Sequence, residues 1–511
     1  MSGQPPHVQP PSSEEILDLA DRHFIDLTDE ELEYFTEMMP VKLQPYERLD
    51  QLQEPREPMT YTERDLGYRP DEDEDPNNTT ITRCRVEGAD DGPLSGYTVG
   101  LKDNIAVAGI GMTCGSKVLD DYVSSTDATV VTRLLDAGAT ITAKLNMDNL
   151  SFAGSGEFTK GGPVLNPHNP AYTSGGSSAG AAAAVAEGSV DIAIGGDQGG
   201  SIRKPAGYCG VVGLKPTYGL VPYTGILGIG HTIDHTGPIG ETVEDVALTL
   251  DVIAGKDPLD PRQGDVPVEE YSASLTGSVD DLTVGLVDQG YGLDISDSEV
   301  DETVRDAADE FRALGADVTE ISVPWHSDAM SIWTGCFFEE AAALMRGSGL
   351  GFVGRGYYDT QLAEALGKAR QTQADDFPPI LKFVCVLGEY LTETYHGRYH
   401  MKAQNLRREL VAAYDEAFEE VDVLVLPTTP KIAPEIQDDL TYREMLERVM
   451  ERSMVPNTAP FNVTGHPGVS VPCGTAHGMP VGMHVVGPQF DDATILRVAH
   501  AFEQNTDWTE K

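Results

Sequence analysis

Apolar positions along this chain repeat with two different periods, and the changes of period divide it into segments. Ile16, Leu19, Ala20, His23 and Phe24 fall at helical spacing behind Ser12-x-x-Glu15, which reads as a capping box. Thr28-x-x-Glu31 opens a second helix carried by Leu32, Phe35 and Met39, and Pro40 is expected to stop it. Residues 1–11 are Pro-rich and read as a disordered tail, 12–50 as a small helical region, and 51–80, with its prolines and the acidic run Asp71–Asp75, as a linker.

From about residue 82 the pattern becomes an alternation of strands and helices. Strands are expected at 97–101, 139–144, 190–195, 282–287, 317–323, 421–426, 468–472 and 481–486. Helices are expected at 127–137, closed by Gly138, and at 179–187, 242–254, 298–314 and 491–503. That alternation predicts an α/β fold around a large sheet, at least partly parallel, in one domain over 81–511. Residues 325–420 are mostly helical and are expected to cap one end of the sheet.

Composition narrows the picture. Against 35 Lys and Arg stand 83 Asp and Glu, a formal charge of −48 spread over the whole chain. Such a surface opposes polyanions, so nucleic acid is not an expected partner. With 40% apolar residues the chain can still build a core, and the excess of acid resembles proteins of a salt-rich cytoplasm, where screening relieves self-repulsion. No run of about 18 apolar residues suggests a membrane span, and the first residues lack the basic and apolar regions of a signal peptide. The six cysteines (84, 114, 209, 336, 385, 473) form no CxxC pair, which predicts reduced thiols in a cytoplasmic protein and no zinc site.

Candidate chemistry concentrates between Gly175 and Pro205. Two Gly-Gly-Ser clusters, ending at Ser177 and Ser201, flank an Ala-rich helix and a short apolar strand. Gly-Gly turns the backbone sharply and leaves N–H groups pointing outward; small residues at this density equally suit tight packing. The N–H groups of the Asp197-Gln198-Gly199-Gly200-Ser201 turn can face an oxyanion, and Asp197 and Arg203 read as an ion pair that holds the turn. Lys102 follows an apolar strand. Either it pairs with Asp103 or a neighbouring acid, or it is desolvated, neutral and able to act as a base.

Together these stretches resemble the amidase signature family. The likeness rests on Gly100-Leu101-Lys102-Asp103-Asn104, Gly175-Gly176-Ser177-Ser178 and Gly195-Gly-Asp-Gln-Gly-Gly-Ser201-Ile-Arg. It continues through Cys209-Gly-Val-Val-Gly-Leu-Lys-Pro-Thr-Tyr-Gly219, Leu426-Pro-Thr-Thr-Pro430 and the GMPVGM stretch from Gly478, and covers roughly residues 85–505. The Asp-Gln-Gly-Gly-Ser form resembles the bacterial amidases paired with nitrile hydratase, whose helical N-terminal extension aids dimerisation. The resemblance implies a large mixed central sheet flanked by helices. It implies Ser201 as nucleophile, Ser177 in a cis peptide after Gly176 as proton bridge, and Lys102 as base. The N–H groups of Gln198, Gly199, Gly200 and Ser201 would hold the oxyanion. One departure is Ala179, where the family usually has Gly and where Ala must avoid positive φ.

Two simpler motifs compete. Gly176-x-Ser178-x-Gly180 fits a nucleophile elbow that would recruit a histidine such as His231 or His235, but no strand precedes it. Ser201-x-x-Lys204 fits a Ser-x-x-Lys motif that needs a helix, and Pro205 biases Lys204 away from one. Phe152, Ile229 and Trp333 are candidates for an acyl pocket. The expected activity is therefore cofactor-independent hydrolysis of small aliphatic or aromatic carboxamides by a homodimer, with no metal. The alternatives are the glutaminase component of a glutamyl-tRNA amidotransferase (its A chain), and a non-enzymatic scaffold of the same fold.

Overall fold

The computed structural model describes residues 8–55, 59–350, 354–437, 440–452 and 455–510. Most of the expected N-terminal tail, residues 1–7, lies outside the described residues. Backbone contacts divide the chain into two units, Met1–Pro58 and Met59–Lys511.

The first unit carries helices Ser13–Arg22 and Asp29–Asp50, each opened by a complete capping box, at Ser12/Glu15 and Thr28/Glu31. Pro40 does not stop the second helix, which runs through both Pro40 and Pro45. Each proline removes one backbone hydrogen bond. Because the side chains of this helix are exposed or half-exposed throughout, the freed carbonyls can turn to water.

The second unit is built on a twelve-stranded mixed sheet. From edge to edge its strands are Arg64–Tyr68, Thr80–Glu87, Thr140–Leu145, Thr98–Lys102, Ile192–Asp197, His235–Gly240, Val212–Lys215, Gly468–Ala476, Met479–Val486, Val423–Pro427, Thr283–Val287 and Asp317–Ile321. The edge strand Arg64–Tyr68 lies inside the stretch read as a linker; it is polar and largely exposed, so no apolar alternation marks it. Its neighbour Thr80–Glu87, with Arg83, Arg85 and Glu87 on an exposed face, lies outside the expected strands too, as do two buried strands, Val212–Lys215 and His235–Gly240. One is four residues long, and the other reads HTGPIG, whose Gly and Pro imitate a turn. Helices Ala329–Gly347, Thr360–Thr372, Pro379–Tyr395 and Arg398–Ala417 fill the 325–420 region.

Two parallel strands set the position of the chemistry. Thr98–Lys102 and Ile192–Asp197 run side by side in register Val99↔Ile192, Gly100↔Ala193, Leu101↔Ile194, so their carboxyl ends coincide. Ligands in open α/β sheets bind beyond such ends. The helix Ala179–Ala186 packs on these strands, and Gly180 through Val185 are all buried. Its small side chains permit that approach: a Cβ at Gly180 would stand 2.2 Å from the Thr79 carbonyl oxygen and 2.6 Å from the Asn146 nitrogen. Ala179 opens this helix with ordinary negative φ, so the missing family glycine strains nothing there. Gly180→Ala should therefore lower unfolding stability by about 1–3 kcal/mol, read as a fall in the denaturation midpoint. An unchanged midpoint would contradict the close packing.

Candidate active site

Lys102 closes its strand with its side chain fully buried. Its Nζ donates to Ser177 Oγ at 2.7 Å and to the Gly196 carbonyl at 3.3 Å. Asp103 does not pair with it. Successive strand residues point to opposite faces, and Asp103 binds Lys144 at 3.0 Å, both fully buried, while also accepting from Thr113 N and Oγ1. Burial pushes the Lys102 ammonium down to about 8, against the opposing pull of Asp148, Asp197 and Asp234. A substantial fraction of this lysine is then neutral near pH 8 and able to take a proton.

The Gly176–Ser177 peptide is cis. Asp148 grips it from two directions. Its N–H donates to the Ser177 carbonyl at 3.2 Å. Its carboxylate lies so close to Gly176 that a Cβ there would sit 2.1 Å from Oδ2. The carboxylate accepts from Gly156 N at 3.1 and 3.0 Å and from Phe158 N at 3.3 Å. Burial raises its pKa to about 6, while these donors and the Lys204 and Lys102 charges act the other way. No sequence signal pointed to Asp148, because its role comes from contacts with two other segments, Gly156–Phe158 and Gly176–Ser177.

The second turn is held by Asp197 and Arg203, an ion pair at 3.0 Å with both side chains fully buried. Burial alone would raise the Asp197 carboxyl; Arg203 and the donors of the turn overcome it and hold the group far below the usual range. Asp197 also accepts from Gly200 N at 2.7 Å and Ile202 N at 3.0 Å. The Gly200 N–H therefore points into the turn, which corrects its expected place in the oxyanion hole. Gln198, Gly199 and Ser201 retain their N–H groups as candidates. Gly200 has φ +136°, a conformation that favours glycine, and a Cβ there would meet Thr458 Oγ1 at 2.3 Å. Ser201 is half-exposed at the mouth of this turn, and its carbonyl accepts from Ser178 N at 3.2 Å, tying the two serine clusters together.

The competing motifs find other uses, although a strand, Asn169–Thr173, does precede the elbow motif, contrary to expectation. Ser178 Oγ donates to the Gly196 carbonyl at 3.0 Å and accepts from Gly196 N at 3.2 Å, which binds the helix start to the strand. The His235 ring is buried against the Ile233 carbonyl and Asn462. Lys204, contrary to expectation, is helical: Arg203–Cys209 is a helix, and Pro205 sits in its first turn, where a missing N–H is harmless. Its Nζ would nonetheless stand 3.2 Å from a Cβ on Gly154.

Aromatic side chains wall the turn. Trp333 Nε1 donates to the Gln198 carbonyl at 2.8 Å. Its ring stacks on Phe337 at 4.8 Å, and Phe337 lies 6.0 Å from Phe152. Phe337 was missed, although it stands four residues after Trp333 and so on the same helix face. Ile229 is buried in the adjoining loop, where its N–H donates to Asp234. That loop is fastened to the same helix by Thr232, which donates to Glu340. Among the described residues no group of three or more His, Cys, Asp or Glu side chains is placed to hold a metal ion, and no helix is long and apolar enough to cross a membrane.

The chain is similar to known proteins over most of its length. The sequence profile of the family described as Amidase matches residues 78–496. An enantioselective amidase of Rhodococcus rhodochrous is 40% identical over 505 residues, covering 97% of this chain and 95% of that protein. The A chain of the glutamyl-tRNA(Gln) amidotransferase of Halobacterium salinarum is 40% identical over 430 residues, covering 84% and 99%. Among solved structures, the corresponding amidotransferase component of Thermotoga maritima superposes with TM-score 0.72 at 30% identity, covering 85% of this chain and 89% of that one. The peptide amidase of Stenotrophomonas maltophilia superposes with TM-score 0.67 at 29% identity, covering 81% and 83%.

The geometry predicts that Lys102 titrates near pH 8. Asp148→Asn removes the largest charge that supports the ammonium, so it should move that titration lower still. Carbon NMR of protein carrying labelled lysine ε-carbons reads both, with Lys102→Met identifying the signal. A Lys102 titration at the value of a free lysine would contradict the assignment.

Proposed function

The chain belongs to the amidase family, and from that premise we propose that it hydrolyses small carboxamides to the carboxylic acid and ammonia. The observation that carries this reading is the buried contact of Lys102 with Ser177, beside the glycine-rich turn that presents Ser201. Ser201 Oγ attacks the amide carbonyl and gives up its proton to Ser177, which passes its own to neutral Lys102. The carbonyl oxygen becomes an oxyanion facing the N–H groups of Gln198, Gly199 and Ser201. Collapse breaks the C–N bond. The nitrogen takes a proton from Ser177, which Lys102 replenishes, and leaves as ammonia. Water attacks the resulting ester, giving its proton through Ser177 to Lys102, and the relay returns a proton to Ser201 Oγ as the acid leaves.

Substrate choice follows from the walls. We assign the acyl pocket to Phe152, Ile229, Trp333 and Phe337, with Val455 close to Gly200. Such walls suit aliphatic or aromatic acyl groups. Glutamine carries an ammonium and a carboxylate that need charged partners on burial. The glutaminase reading draws on the 40% identity to the Halobacterium amidotransferase component. Against it stands the length of the matches: the Rhodococcus amidase aligns over 505 residues, enough to include most of the N-terminal helical unit, and the amidotransferase component over 430. We assign that unit, with Leu17, Phe24, Ile25 and Tyr34 exposed, to self-association into a homodimer. The charge of −48 supports an enzyme of a salt-rich cytoplasm.

Ammonia release should be seen with acetamide or benzamide at molar salt without any partner. Turnover of glutamine alone, rising with added amidotransferase components and tRNA, would replace this reading with the glutaminase one. Ser201→Ala should abolish release, and Lys102→Ala should reduce it by about 10³-fold or more; wild-type rates in Ser201→Ala would sink the mechanism. Because the base is the neutral amine, kcat/KM should rise with pH through about 8; a flat profile from pH 6 to 10 would contradict it. The fold should lose stability below about 0.1 M salt, where the Debye length exceeds about 10 Å. Full stability in dilute buffer would contradict the salt-adapted reading.

A further inference from the structure

The side chain of Gln198 is a polar group at the turn that the hydrolytic sequence leaves unused. It is 3% exposed. Its Nε2 donates to the Tyr223 hydroxyl at 3.2 Å. Its Oε1 is buried and, among the described residues, has no hydrogen-bond partner. A buried acceptor left unpaired is costly, and this one stands beside the Lys102 amine, where a bound molecule can supply the donor.

Its surroundings indicate which donor. The Gln198 Nε2 and the Lys102 Nζ each stand 3.6 Å from the position of a Cβ on Gly196. The amide thus folds back over the same glycine as the Lys102 amine. Tyr223 holds it there. Its own N–H donates to Asp260, and Asp260 is locked to Arg262 at 2.8 Å, so the tether is rigid. The backbone of Gln198 is fixed separately by Trp333.

We propose that Gln198 Oε1 accepts an N–H of the substrate carboxamide, making Gln198 a specificity residue for unsubstituted amides and Tyr223 its positioning residue. The inference rests on the hydrolytic reading above. In the ground state one N–H of the amide points at Oε1. In the tetrahedral intermediate that contact keeps the nitrogen's lone pair turned toward Ser177, whose proton it takes as the third before the C–N bond breaks and ammonia leaves with the bonding pair. An ester of the same acid presents the same acyl group and forms the same acyl-enzyme, but it has no N–H to offer.

The test compares benzamide with methyl benzoate in the full chain at molar salt. For the ester, kcat/KM is measured where turnover is seen, and otherwise its inhibition constant against benzamide. Gln198→Leu should lower kcat/KM for benzamide by about 10- to 100-fold and change the ester value by less than about 3-fold. Tyr223→Phe, which only frees the glutamine, should give a smaller loss with the same selectivity. Equal losses on amide and ester would assign Gln198 to the shape of the turn and overturn the proposal, as would an unchanged benzamide rate. A wild-type chain that releases no ammonia from any simple amide would instead fail the hydrolytic reading itself.

Discussion

Taking the amine of Lys102 out of water, at the end of a sheet strand, disfavours its charged form by several kcal/mol. The protein meets that cost with three carboxylates at a distance and none in contact: Asp148, Asp197 and Asp234 support the charge, while the adjacent Asp103 is committed to Lys144. A carboxylate in direct contact would fix the ammonium and remove the base. The placement also depends on strand order. Because Thr98–Lys102 and Ile192–Asp197 run parallel and in register, the Lys102 amine emerges next to the chain that turns to carry Ser201. The Ala-rich helix between the two serine clusters closes that loop, and only small side chains let it come near enough.

Asp197 shows how the second glycine cluster keeps its shape. Its carboxylate binds Arg203 on one side and the Gly200 and Ile202 N–H groups on the other. The Gly200 N–H is spent on rigidity and is not available to an oxyanion. Breaking a buried pair of this kind typically costs about 3–5 kcal/mol, so the turn holds its shape without a substrate. Preorganised donors are what give an oxyanion site its effect.

Much of this was legible in the sequence because the chemistry sits on residues with strong local signatures. Gly-Gly-Ser marks both turns, and short apolar runs and helical spacing mark most of the sheet and its helices. What stayed hidden was hidden for physical reasons. Asp148 and Tyr223 act through contacts between distant loops, and nothing in their neighbours' spacing announces that. Lys204 was misplaced because a proline after it disfavours helix in general, yet is harmless in a first turn. Pro40 was expected to end a helix that continues, because an exposed helix can leave carbonyls to solvent. Whether Lys102 pairs with Asp103 depends on the direction of the Asp103 side chain, which is turned to Lys144. Strand alternation predicts that adjacent side chains diverge, but not where the partner lies.

The central claim is that Ser201 is the nucleophile and that Ser177 and Lys102 activate it. The most direct measurement is covalent capture. The chain is treated with a fluorophosphonate, which reacts only with an activated serine, and the modified peptide is located by mass spectrometry. The account predicts a single adduct on Ser201, with its formation rate falling sharply in Lys102→Met. An adduct on Ser178, or an adduct on Ser201 formed as fast without Lys102, would contradict it.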